Sequence, residues 1–181
     1  FLTQINGVNY NFFIDKKIKE GYEYPKIFIL PYEFSSELYK GTLFECELIR
    51  KRNKKWTIGL NDMYYHEGTN MKKTIIIDRL NKMHESISDH YNPNEFTNTC
   101  PLFIKKYFDY KDLNEALHSF APNLGYDIRG LYFVPLRVDY SNILYIFPKD
   151  TNPIQVEKAP KKLTKCFRIM KTMKPDVYDL Y

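Results

Sequence analysis

The sequence predicts an α+β domain, because several segments have the two-residue period of β-strands and one has the period of an amphipathic helix. The clearest strand signal is a pair of alternating runs, 42–49 and 56–65, joined by the basic turn 50–55. The clearest helix signal lies in 78–90, where Leu80, Met83 and Ile87 recur at i, i+3 and i+7. A chain of 181 residues is long enough to bury one core of this kind.

The composition excludes several classes of protein. With 44% apolar and 17% aromatic residues, the chain is not a disordered one, and its net charge of +5 is compatible with an anionic partner without requiring one. Its three cysteines lack the spacing of a zinc site or a disulfide framework, so we expect a reducing compartment, cytoplasmic or nuclear. No apolar run approaches ~18 residues, so neither a transmembrane helix nor a membrane partner is expected.

The remaining elements follow in order from local patterns of polarity, Pro and Gly. In the N-terminal part we predict a turn at Gly7, a strand over 8–14, a polar loop over 16–24, a strand over 26–30 and a helical turn over 34–39. In the C-terminal part we predict a turn-rich segment over 92–100, a strand over 102–107, a helix over 111–120, strands over 130–133, 140–147 and 167–170, and a tail over 177–180.

The central hairpin carries acidic residues at unusual positions. In the run 42–49, Glu45 and Glu47 share a face with Leu43 and Ile49, while Phe44, Cys46 and Leu48 share the other. Carboxylates on a strand face that is buried or lines a cleft cost free energy unless something pairs with them. The hairpin therefore indicates a site.

The hairpin segments GTLFECELI and WTIGLNDMYYHEG resemble the paired central motifs of the covalent nucleotidyltransferase superfamily, which includes DNA ligases, RNA ligases and mRNA guanylyltransferases. Glu45 stands where that family has Asp, Cys46 where it has Gly, and Glu47 matches its Glu; Asp62 and Gly68 match the second motif. The resemblance implies a nucleotidyltransferase fold, in which two antiparallel β-sheets flank a cleft with a few peripheral helices.

The family's nucleophile is missing from the matching segment. Gln4-Ile5-Asn6-Gly7 stands where the family has K-x-D-G, whose lysine attacks the α-phosphate of a nucleoside triphosphate. The amide nitrogen of Gln4 is conjugated with its carbonyl and cannot act as a nucleophile. We therefore expect no catalytic residue and no covalent intermediate, although Gln4, Asn6 and Gly7 can still contact a base or ribose.

The C-terminal motifs also depart from the family pattern. Gly130-Leu131-Tyr132-Phe133 resembles its "DGLIF" motif, but Arg129 occupies the position of the acidic residue and cannot bind a metal. Lys171 and Lys174 resemble the lysines of the family's last strand, which meet the α-phosphate. No metal and no cofactor are expected.

Among superfamily members, the chain most resembles the snurportin-like cap-binding domain, which lacks the lysine. This resemblance implies a single domain over 1–181, a fragment of or partner within a larger capping or transcription assembly, that binds capped RNA or a guanine nucleotide. The expected cleft residues are Gln4, Asn6, Gly7, Glu47, Asp62, Arg129 and Lys171, with Trp56 either stacking on the base or covering the core.

Two other readings remain open. One is an active guanylyltransferase or RNA ligase whose nucleophilic lysine lies elsewhere than at position 4. The other is a structural subunit of a capping or transcription complex, in which an apolar surface docks a partner and the cleft binds no nucleotide.

Overall fold

The computed structural model describes residues 1–148 and the backbone of the strands Ile169–Lys171 and Tyr178–Leu180. The chain divides into two compact units, Phe1–Ile146 and Phe147–Tyr181. The first unit contains a large sheet, the helices and two smaller sheets. Within the second, Ile169–Lys171 pairs antiparallel with Tyr178–Leu180.

The strands of the first unit are β1 (Leu2–Ile5), β2 (Val8–Ile14), β3 (Ile27–Ile29), β4 (Glu33–Phe34), β5 (Lys40–Arg50), β6 (Trp56–His66), β7 (Thr69–Asn70), β8 (Tyr91–Asn92), β9 (Leu102–Ile104), β10 (Gly130–Phe133) and β11 (Ile143–Ile146). Its longer helices are α1 (Ile76–His90) and α2 (Glu95–Thr99). Short helical turns lie at Ser36–Tyr39 (3-10), Tyr110–Asp112 (3-10), Leu113–Glu115 (α), Ala116–Phe120 (π) and Ala121–Asn123 (3-10). Among the described residues, no helix combines the length and apolarity needed to cross a membrane.

The predicted α+β class is confirmed, with one correction to the sheet. The large sheet has seven strands in the order β3-β2-β1-β5-β6-β7, and β9 also pairs with β6. β9 runs parallel to β6, so this sheet is mixed and not purely antiparallel. The reason is the crossover between β6 and β9, which includes α1 and α2 and returns the chain in the same direction. β10 and β11 form a separate antiparallel pair.

The N-terminal hairpin follows from its Asn-Gly dipeptide. Asn6 and Gly7 have φ values of 50° and 80°, and Ile5 pairs directly with Val8 across the turn. Two consecutive positive φ values are the requirement of a tight hairpin turn, and Asn-Gly meets it at low cost. The predicted turn at Gly7 and strand over 8–14 are confirmed.

The core lies between one face of the large sheet and α1. Leu38, Met63 and Met83 are fully buried there, and Leu80 and Ile87 pack against them. The predicted helix periodicity is therefore confirmed, although the helix begins at Ile76 and not at 78.

The prediction for 92–100 missed α2. A helix of five residues is too short to show a periodic pattern, and its signal is instead a capping box. The Asn94 side chain accepts from the backbone N–H of Thr97, and the Thr97 hydroxyl accepts from the backbone N–H of Asn94.

We predict that Leu38→Ala lowers the free energy of unfolding by about 2–5 kcal/mol, because it opens a cavity in a fully buried site. Urea denaturation measures the loss. Leu48→Ala is the matched control, because Leu48 is 59% exposed, and it should change stability by less than about 0.5 kcal/mol. Equal losses in the two variants would contradict this location of the core.

Candidate functional site

The two faces of β5 have different environments. Phe44 and Cys46 pack against the core. Because side chains alternate along a strand, Glu45 and Glu47 lie on the opposite face, called here the second face. Asp62 of β6 is the direct cross-strand partner of Glu45 and therefore shares that face. The carboxylates of Glu45 and Asp62 thus lie side by side on the second face.

Glu45 is buried and receives two hydrogen bonds. Its Oε1 accepts from the Lys16 ammonium, and its Oε2 accepts from the Tyr64 hydroxyl. Lys16 comes from the loop after β2, and its side chain remains 69% exposed although it reaches this carboxylate. Glu45 is consequently neutralised by a cation that solvent can reach.

Asp62 is buried and paired more completely. Arg79 of α1 donates from Nε and Nη2 to the two carboxylate oxygens, each at 2.8 Å. The backbone N–H of Met63 donates to Oδ1 at 2.7 Å, and Arg79 Nη1 donates to the carbonyl of Thr74 at 2.5 Å. The hydrogen bond to Asp62 raises the pKa of Arg79. A planar guanidinium fork bound to both oxygens is a strong form of ion pair.

Two tyrosines complete this group. Burial is the main cause that raises the pKa of Tyr64, and the hydrogen bond to Glu45 raises it further. Burial is the main cause that raises the pKa of Tyr107, and the negative charges of Asp62 and Glu45 raise it further. The Tyr107 hydroxyl donates to the carbonyl of Asn61 at 3.0 Å. The charge of Tyr132, on β10, makes a smaller contribution to both raised pKa values. We call the group the charged cluster: Lys16, Glu45, Asp62, Tyr64, Arg79 and Tyr107.

The charged cluster has little capacity for acid–base or metal chemistry as it stands. Glu45 and Asp62 are each neutralised by a cation, and both phenols remain protonated as hydrogen-bond donors. Within residues 1–148, no three His, Cys, Asp or Glu side chains are grouped as metal ligands would be. The exposed Lys16 ammonium is the part of the cluster that an external anion can reach.

The predicted N-terminal site residues lie away from this cluster. Asn6 and Gly7 form the exposed hairpin turn, and Gln4 Nε2 donates to Asn9 Oδ1 at 3.1 Å. Gln4 pairs with Asn9, which by alternation shares the core-side face of the sheet with the buried Asn11. Gln4 instead lines an open depression of about 420 Å³ together with Thr3, Ser36, Tyr39 and Lys40.

Glu47 lies on the second face, next along the strand from Glu45. Its carboxylate is 57% exposed and accepts from Lys105 Nζ at 2.5 Å. Since Gln4 is on the core side, the structure does not bring Gln4 and Glu47 onto one face.

Trp56 lies far from Asp62, six residues along β6, which at about 3.3 Å per residue is about 20 Å. It is 45% exposed at the end of the hairpin. Arg129 is exposed and has no ion-pair partner among residues 1–148. Lys171 belongs to the second unit, in the strand Ile169–Lys171, and its side chain lies outside the described residues, as does Lys174.

Sequence reasoning missed Lys16, Tyr64, Arg79 and Tyr107. The two cations could have been expected because burying the carboxylates of Glu45 and Asp62 costs free energy unless each has a positively charged partner.

No protein-family model matches this chain, and no curated protein matches its sequence. The charged cluster therefore has to be interpreted from its own geometry.

We predict that Arg79→Met lowers the free energy of unfolding by about 3–5 kcal/mol, because it leaves the Asp62 carboxylate buried without a counter-charge. Chemical denaturation measures the loss, and the double variant D62N/R79M should recover a large part of it. Arg137→Met is the control, because Arg137 pairs with Asp139 on the surface and its loss should cost much less stability than the loss of Arg79. A loss at Arg79 no larger than that at Arg137 would contradict the role of the pair.

Proposed function

We propose that this domain binds the 5′ end of an RNA, as a cap or guanine nucleotide, without transferring it. One observation carries the proposal: Asp62, which matches the second nucleotidyltransferase motif, and Glu45, which stands where the first motif has Asp, lie side by side, yet Arg79 and Lys16 neutralise them. The charged cluster keeps polar groups for recognition but no free base, and Gln4, which stands at the position of the family's lysine and lies on the core side of the sheet, supplies no nucleophile.

The second face offers groups suited to such a ligand. The Glu47 carboxylate is exposed and can accept hydrogen bonds from guanine N1 and N2 or from ribose hydroxyls. The exposed Lys16 ammonium can contact a phosphate. A nucleotidyltransferase-like arrangement would use the second face and the antiparallel β10–β11 pair as the two walls of a cleft.

An active enzyme is the second candidate, and the contact between Lys16 and Glu45 favours it. A lysine does lie beside Glu45, although it comes from a different segment than the family's nucleophile. Against this candidate, an ammonium that donates to a carboxylate has no lone pair with which to attack phosphorus.

A structural subunit is the third candidate, and the apolar second face of β1–β3 favours it. Alternation places Val8, Ile14, Ile27 and Ile29 on one side of these strands, and each is about half exposed or more. Such a surface can dock a protein partner.

We predict saturable binding of a 7-methylguanosine or trimethylguanosine cap analogue, measured by calorimetry in parallel with GTP and ATP. Calorimetry is preferred to Trp fluorescence because Trp56 is remote from the cluster. Glu47→Gln should weaken cap binding about tenfold or more, because it removes a charged acceptor. Glu85→Gln is the matched control, since Glu85 is a similarly exposed glutamate paired with a lysine, and it should leave binding unchanged. No binding of any nucleotide, with another protein co-purifying, would favour the structural subunit.

We also predict that radiolabelled GTP or ATP with Mg²⁺ leaves no acid-labile covalent adduct on the protein. The reason is that both Gln4 and the ion-paired Lys16 lack a free amine. An adduct that forms, and that Lys16→Ala abolishes, would establish the enzyme and overturn non-covalent binding.

A further inference from the structure

The turn between β5 and β6 presents a group of cations, of which all but the half-buried Lys51 are exposed. We call Arg50, Lys51, Arg52, Lys54, Lys55 and Trp56 the basic tip. The turn is closed by backbone hydrogen bonds from Lys51 N–H to the Lys55 carbonyl at 2.8 Å and from Lys54 N–H to the Lys51 carbonyl at 2.9 Å. Lys54 has a φ of 67°, an uncommon conformation for a lysine. The cations are therefore held close together by a defined turn.

Arg52 differs from the other cations in being paired. Its backbone N–H donates to the Gly125 carbonyl at 2.8 Å, and its Nε donates to Asp127 Oδ1 at 3.0 Å. These bonds attach the turn to the segment before β10. The other four, Arg50, Lys51, Lys54 and Lys55, have no ion-pair partner in the part of the chain that the structure describes. Their mutual repulsion is left for solvent ions or an anionic ligand to offset.

An apolar surface adjoins these four cations. Trp56 is 45% exposed, and its cross-strand partner is Arg50, whose guanidinium lies 5.8 Å from the indole ring. Leu48 is 59% exposed and shares a face of β5 with Arg50. An exposed indole beside an exposed leucine is costly in water, and a flat aromatic ligand would cover both.

We propose that the basic tip binds single-stranded nucleic acid, with phosphates at Arg50, Lys51, Lys54 and Lys55 and one base stacked on Trp56. Cations that follow a backbone, combined with an aromatic platform, are the two components of sequence-tolerant binding to single strands. The inference rests on the proposed function only for the source of the strand, which would be RNA following the bound 5′ end. Single-stranded DNA shares this chemistry, as the tip holds no group dedicated to a 2′-hydroxyl.

The test uses the full chain and fluorescence anisotropy with labelled, uncapped 12-nucleotide RNA and DNA strands over a range of salt concentrations. The triple variant Lys51→Gln, Lys54→Gln, Lys55→Gln should weaken binding at least about tenfold and reduce the salt slope by about 2. Trp56→Ala should weaken binding about tenfold, whereas Trp56→Phe should retain most of the affinity. The matched control, Lys17→Gln, Lys72→Gln, Lys73→Gln, removes the same charge from exposed sites and should change affinity much less.

The results distinguish binding at the basic tip from non-specific binding. Equal effects of the two triple variants, or no change with Trp56→Ala, would overturn the assignment to the basic tip. Equal binding of an acidic peptide such as polyglutamate would show a general polyanion surface and overturn the stacking role. Stronger binding of RNA than of DNA identifies RNA as the source, and equal binding identifies only the shared chemistry. Because the strands are uncapped, failure of cap analogues to bind would count against the proposed function while leaving this result intact.

Discussion

The ion pair between Asp62 and Arg79 is the interaction on which the rest of the site depends. It joins the middle of β6 to the first turn of α1, and with the Thr74 carbonyl it also orders the chain that leads into the helix. The same helix supplies Met83 to the core. A buried pair contributes little net stability but is costly to break, so its main effect is to specify one arrangement of helix and sheet. The second face can therefore present Glu45 and Tyr64 in a fixed geometry.

The hairpin of β5 and β6 shows how one element separates two kinds of chemistry. Its middle carries opposed carboxylates that are neutralised by Lys16 and Arg79, and its end carries four cations that have no ion-pair partner among the described residues. The two regions lie about 20 Å apart along the strand, a distance set by strand geometry and not by a flexible loop. Trp56 and Leu48 also lie on the core-side face, opposite the carboxylates, so a ligand that reached both regions would have to be extended, several nucleotides long and able to pass around the end of the hairpin.

Much of the fold could be predicted because the relevant signals are local. The alternation in 42–49, the Asn-Gly turn and the spacing of Leu80, Met83 and Ile87 each depend on neighbours within a few residues. The ion-pair partners of the two carboxylates could not be predicted in this way, because Lys16 lies 29 positions from Glu45 and Arg79 lies 17 positions from Asp62. Neither could the parallel position of β9, which depends on the crossover as a whole. Gln4 was expected beside Glu47 by resemblance, and the alternation of β1 and β2 places it on the other side of the sheet.

The parallel pairing of β9 also has a consequence for folding kinetics. β6 pairs with β5 across a short turn, but its other edge at Ile58–Leu60 can pair only after Leu102–Ile104, which is far along the chain, has been synthesised. Closing so long a loop is slow compared with forming the hairpin. During synthesis, the strand would remain an open edge until α1 and α2 had emerged. That interval is when an unprotected β-strand of this kind is most exposed to intermolecular pairing, and the cations of the basic tip beside it oppose such association by charge repulsion.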